Sequence, residues 1–151
     1  MLLKPSDIYY CQNSIKNTFS NGKQIGETLD DLCEGRTSLS SFPKIQVTQK
    51  NSKWYTTDNR RLWVFRHLHR LGKCGEIPVV QTGDIPSRKM TTGNGGVSIA
   101  VRGRGGPGGV WHYKHDGTGK NLDGTYACTW PEDSVCVSSS YHDIDINDYF
   151  L

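Results

Sequence analysis

The sequence predicts an α+β fold: a small mixed sheet with two or three helices, continued by a β-rich C-terminal extension. Three observations carry this. Two stretches repeat apolar residues at helical spacing, short strand-like stretches alternate with them, and the composition breaks near residue 83. Beyond that point Gly, Thr, Asn and Arg dominate, which divides the chain into a first part, residues 1–82, and a Gly-rich part, residues 83–151.

The elements follow in order. Residues 1–22 are irregular, with Ile8, Ile15 and Phe19 as isolated anchors and Asn21-Gly22 as a turn signal. Over residues 23–35, Ile25, Leu29 and Leu32 fall on one helical face, and Gly35 stands where a C-terminal glycine belongs. Ile45 and Val47 alternate with polar residues as a strand does, Asn51-Ser52 makes a turn, and Lys53-Trp54-Tyr55-Thr56 returns as a hairpin partner. Asp58 is an N-cap candidate for a helix whose apolar stripe is Leu62, Phe65, Leu68 and Leu71, widened by Val64 and stopped at Gly72. Ile77-Pro78-Val79-Val80 is a short buried strand. In the second part, residues 97–101 and 110–113 have a strand pattern on either side of Gly103-Arg104-Gly105-Gly106-Pro107-Gly108-Gly109.

Composition narrows the function classes only a little. A net charge of +3, from 18 basic and 15 acidic residues, neither demands nor excludes a nucleic acid partner. No stretch approaches the roughly 18 to 20 apolar residues of a membrane span, so no membrane partner is expected. The polar start lacks the apolar core of a secretory signal, and the expected location is cytoplasmic unless the chain is excised from a larger exported one. The five cysteines form no CxxC pair and number an odd count, so free thiols are expected. A Cys128–Cys136 bridge is the alternative in an oxidising compartment.

The chemistry concentrates at Thr57-Asp58-Asn59-Arg60-Arg61. A helix start presents backbone N–H groups without internal partners, and the helix dipole adds partial positive charge there. Two arginines in that first turn repel the dipole, so an anion is expected to neutralise them. Their planar forks suit phosphate oxygens. Pairing of Arg60 and Arg61 with surface carboxylates such as Glu27 or Asp30 is the competing reading of the same spacing.

Residues 53–79 resemble the central box of ParB-type N-terminal domains: a strand, a Gly-Glu-Arg-Arg turn, a helix ending in Gly, then Ile-Pro-Val. The upstream order (a short helix, Pro43, then Ile45 and Val47) is similar too, so the likeness runs from about residue 6 to 81. It implies the ParB/sulfiredoxin fold and a nucleotide or other phosphorylated small molecule as ligand, with its type open. By motif position Arg61 matches the arginine shared by ParB and sulfiredoxin, Arg60 matches the ParB arginine, and Thr57 and Asn59 complete the binding turn. Asn59 stands where sulfiredoxin has its catalytic cysteine, which leaves no thiol for sulfinic acid repair. Asp58 replaces a glycine and Asn59 the ParB glutamate, so hydrolysis does not carry over directly. Phosphoryl transfer would need a carboxylate to hold Mg²⁺ or position the nucleophile, and Glu27, Asp30 and Asp58 are the candidates.

Two further functions compete. A nuclease or nucleic-acid-binding module would use the basic helix face of Arg66, Arg70 and Lys73 together with Arg102 and Arg104. A protein-interaction domain would keep the fold without its chemistry. The glycine run reads as a hairpin connection more readily than as a phosphate loop, because no Lys-Ser/Thr follows it. His112 and His115, near Asp116, would point to opposite faces of a strand and share no metal. Asp143 and Asp145, on one face of the tail, read as an edge strand.

Overall fold

A computed structural model describes residues 1–115 of the 151. Seven strands and two helices alternate along it: β1 (Leu2–Leu3), β2 (Ile8–Tyr10), β3 (Ser14–Lys16), α1 (Ile25–Cys33), β4 (Ile45–Lys50), β5 (Lys53–Thr56), α2 (Asn59–Arg70), β6 (Ile77–Gln81) and β7 (Ala100–Arg102). Five strands form one mixed sheet in the order β1-β6-β4-β5-β2, and β3 pairs with β7 in a second, two-stranded ladder. The α+β prediction with two helices holds at this level.

The hairpin expected at Asn51-Ser52 forms. Both residues have positive φ, 52° and 66°, the geometry whose twist matches a two-residue connection between antiparallel strands. It sets Lys50 opposite Lys53 and Val47 opposite Thr56. From β5 the chain enters α2 and returns through β6, which lies parallel to β4 with Ile45 opposite Val79. β2 lies parallel to β5 on the other side, Ile8 opposite Trp54.

Both helices close as their glycines predict. Gly35 and Gly72 take φ of 80° and 76°, and Arg36 N and Lys73 N donate back to Asp31 O and Leu68 O, the Schellman pattern. Ile25, Leu29 and Leu32 of α1 meet Leu62, Phe65 and Leu68 of α2 over Ile8, Ile45, Val47 and Ile77 in one core. A smaller cluster of Cys11, Tyr55 and Ile85, with Tyr9 and Met90 against it, joins the extension to the sheet.

Three expectations need correction. Residues 1–22 are not irregular but hold three short strands, each fixed by a partner far along the chain rather than by its own periodicity. The described part of the extension is sparse in strand: only β7 forms, and residues 111–113 make a 3₁₀ turn because the Asp30 carboxylate accepts from Val110 N and Trp111 N, both at 3.0 Å. Cys11 and Cys33 are buried free thiols, but Cys74 is disulfide-bonded, so not all five thiols are free. Asp116, Cys128, Cys136 and the acidic tail with Asp143 and Asp145 lie outside the described residues. Among the described residues no helix is long and apolar enough to cross a membrane.

Candidate anion-binding site

The chain that leaves β2 turns at residues 11–13, runs through β3, and loops back at residues 17–22 before α1. Between this loop, the first turn of α2 and the end of β7 lies a cleft of about 570 Å³. Lys16, Arg60 and Arg102 reach it from three different elements. Thr18, Ser20 and Thr57 bring hydroxyls, Gln12 and Asn59 bring amides, and no carboxylate is among the described lining residues.

Asn59 organises the floor. It is 3% exposed, its Oδ1 accepts from Cys11 N at 3.0 Å, and its Nδ2 donates to Thr57 O at 3.2 Å. A buried amide satisfied on both ends fixes the residue 11–12 turn to the helix start. Arg60 is 7% exposed yet lines the cleft. Its Nη1 donates to Thr18 O at 2.8 Å, and its guanidinium lies 5.9 Å from the Phe19 ring centre. Burial holds the Arg60 pKa below the ordinary guanidinium value, and the positive charge of Arg102 pushes the same way.

Arg61 behaves differently from its neighbour. Only 3% exposed, it is not among the cleft residues. Its Nη1 donates to Lys44 O at 2.7 Å and its Nη2 to Asp58 Oδ1 at 3.4 Å. Burial pushes its pKa down to about 9, against the pull of Asp58, so it stays protonated at neutral pH. Asp58 makes no side-chain cap on α2. Its Oδ2 instead accepts from Gln46 N at 2.8 Å, tying the helix start to β4. The N-cap expected from the sequence is therefore replaced by a helix–strand clamp, Asp58 with Arg61. Asp58 itself thus caps none of the N–H groups at the helix start, the groups an anion site uses.

The other carboxylates expected to do chemistry are engaged elsewhere. Glu27 closes a capping box with Gln24, its Oε1 accepting from Gln24 N at 3.3 Å. Asp30 receives the two backbone N–H groups of residues 110 and 111, and burial raises its pKa. Neither lines the cleft, and neither does Asp58.

The basic helix face expected to meet nucleic acid is largely turned inward. Arg66 donates to Val97 O at 2.5 Å and to Ile8 O, with its guanidinium 4.5 Å from the Tyr10 ring centre. Arg70 donates to Lys114 O at 2.6 Å and His112 O at 2.8 Å. Lys73 is 1% exposed, 4.8 Å from the Trp111 ring centre. These cations hold the extension down, a use invisible to a helical pattern that cannot know what packs on it. Arg102 and Arg104 are exposed, and Arg102 belongs to the cleft.

The glycine run packs rather than wraps a ligand. Gly26 N donates to Pro107 O at 2.8 Å, and a Cβ at Gly26 would sit 1.8 Å from Gly108 O. Asn17 Nδ2 donates to Arg104 O and Gly106 O at 3.0 and 2.9 Å. His112 sits among rings, 6.0 Å from Trp63 and 4.0 Å from Tyr113. Among the described residues no three His, Cys, Asp or Glu side chains gather as a metal site.

Gln12, Lys16, Thr18 and Ser20 escaped the sequence reading because they lie on the segment taken as irregular. Arg102 was singled out, but for a nucleic acid face. Comparison with family models, with curated proteins and with solved structures gave no match.

Proposed function

We propose that this domain binds a phosphate-bearing ligand, a nucleotide in the manner of the ParB-type domains it resembles, in the cleft at the start of α2. The observation that carries the reading is the lining itself: Lys16, Arg60 and Arg102 converge on one cleft beside the hydroxyls of Thr18, Ser20 and Thr57 and the amides of Gln12 and Asn59. The charge of Arg102 disfavours the charged form of Arg60, and an anion in the cleft eases repulsion of that kind. Hydroxyl and amide groups beside them supply the neutral hydrogen bonds that phosphate and sugar oxygens take.

The reading is of binding rather than of phosphoryl transfer. Glu27, Asp30 and Asp58 are committed to a capping box, a strap and a helix–strand clamp. Mg²⁺ takes carboxylate and phosphate oxygens in octahedral geometry. The hydroxyls, amides and cations of the cleft do not fit it as a resident ion, and the reading routes no step through it.

The nucleic acid alternative is weaker, because Arg66, Arg70 and Lys73 hold the extension and do not form an open face. A thermal-shift screen of nucleotides, with and without Mg²⁺, tests the proposal. Binding to the folded form alone raises the melting temperature by mass action. A shift with at least one nucleotide, surviving chelation of divalent ions, is expected. No shift with any nucleotide or with inorganic phosphates at millimolar concentration would overturn it.

A further inference from the structure

Resting on that reading, we propose that the bound phosphate group is also a structural link. It bridges Lys16 of β3 and Arg102 of β7, and so fastens the glycine-rich extension to the first part of the chain.

The ladder that joins the two residues is minimal. β3 and β7 pair over three registers, Ser14 with Ala100, Ile15 with Val101 and Lys16 with Arg102. Side chains alternate between the two faces of such a ladder, and residues opposite each other share a face. Ile15 is buried and Val101 packs against the core, so a single pair gives the ladder its apolar hold. Lys16 and Arg102 lie on the other face, exposed and lining the cleft. Among the described residues neither enters an ion pair. Neighbouring strands are about 4.8 Å apart, so two cations at one register work against the pairing that brings them together. A phosphate group between them reverses the sign, because its oxygens accept from the ammonium and the guanidinium at once.

The consequence reaches beyond two side chains. Ala100 N donates to Asn13 O at 3.0 Å and Asn17 N to Arg102 O at 2.9 Å, which extends the ladder at both ends. Asn17 Nδ2 then holds Arg104 O and Gly106 O, and Gly26 N donates to Pro107 O. β7 is thus the first fastening of a run that continues onto α1. Arg102 stands in the cleft only while β7 is docked. Phosphate therefore binds the docked form more tightly and, by linkage, draws the extension toward it.

The experiment follows amide hydrogen exchange of the full chain at residues 14–17 and 100–102, in inorganic phosphate and in sodium chloride of matched ionic strength. Wild type, Lys16→Glu and Arg102→Glu are compared, each first shown to be folded by its melting transition. Either substitution sets an acid opposite a base at the same register, and so builds into the chain what phosphate supplies from outside. In wild type, saturating phosphate should slow exchange at these amides by about two- to fivefold relative to chloride, the worth of one exposed charge pair. In both variants exchange should already be slow in chloride, and phosphate should leave it unchanged. Calorimetric titration with phosphate and nucleotides runs alongside. Wild type that binds phosphate with no change in ladder exchange overturns the link while leaving the binding reading in place. So do variants whose ladder is as open in chloride as that of wild type, or is slowed by phosphate as much. Absence of binding by wild type to phosphate and to every nucleotide overturns both.

Discussion

Arg60 and Arg61 are adjacent in sequence and opposite in task, and truncating each in turn should separate binding from stability. Arg60→Ala removes a guanidinium that lines the cleft and donates to the loop carbonyl Thr18 O. Loss of a charge-assisted hydrogen bond to ligand costs roughly 1.5 to 3 kcal/mol, about ten- to a hundredfold in affinity. The lost bond to Thr18 O costs about 1 kcal/mol of stability, the net worth of one ordinary hydrogen bond. Arg61→Ala removes a buried group that joins Lys44 O to the Asp58 carboxylate, leaving a half-empty site beside an acid with one fewer partner. Breaking such a buried arrangement costs roughly 3 to 5 kcal/mol. Affinity of the folded fraction should stay within about twofold. Urea unfolding measures the first quantity and calorimetric titration the second. A folded Arg61→Ala protein that has lost ligand while Arg60→Ala binds normally would refute the assignment.

Gly26→Ala pits two effects against each other. Alanine gains about 1 kcal/mol over glycine in a helix, but its Cβ would meet Gly108 O at 1.8 Å. Displacing the glycine run should win, with a net loss of about 1 to 3 kcal/mol in the urea midpoint; a gain in stability would mean the run is not seated on α1. His112 is held below its ordinary pKa by burial, with Arg70 acting the same way and Asp30 opposing. The unfolded chain therefore binds the extra proton first, so stability should fall as pH drops below about 6.5, and His112→Phe should flatten that slope. Alkylation of the denatured protein without reductant should modify Cys11 and Cys33 and spare Cys74. Labelling of Cys74 would remove the disulfide.

The core was readable because its signals are local. The stripe of Leu62, Phe65 and Leu68, the Asn51-Ser52 turn and the terminal Gly35 and Gly72 each announce themselves within a few residues, and each stands where the pattern put it. The site was only partly readable. Arg60 was recognised from its place in the helix, yet nothing local distinguishes it from Arg61; burial against Lys44 does. Lys16 meets Arg102 only through a ladder whose strands carry three residues each, too short for periodicity to register. Asp30 looked like a solvated acid because the segment it binds comes eighty residues later.

That short ladder also bears on how the protein folds and breathes. Ser14 pairs with Ala100, about three quarters of the described length away, whereas β4, β5, α2 and β6 follow one another within a single stretch of chain. Closing a long loop costs more chain entropy than closing short ones, and non-local pairings form late. The β4–β6 unit should therefore assemble first, with β3 and β7 finding each other once it is in place. Three residues per strand give the ladder little with which to resist opening, so it should belong to the least protected part of the native state. Its amides should exchange ahead of those in the central sheet, with the native core still intact around α2.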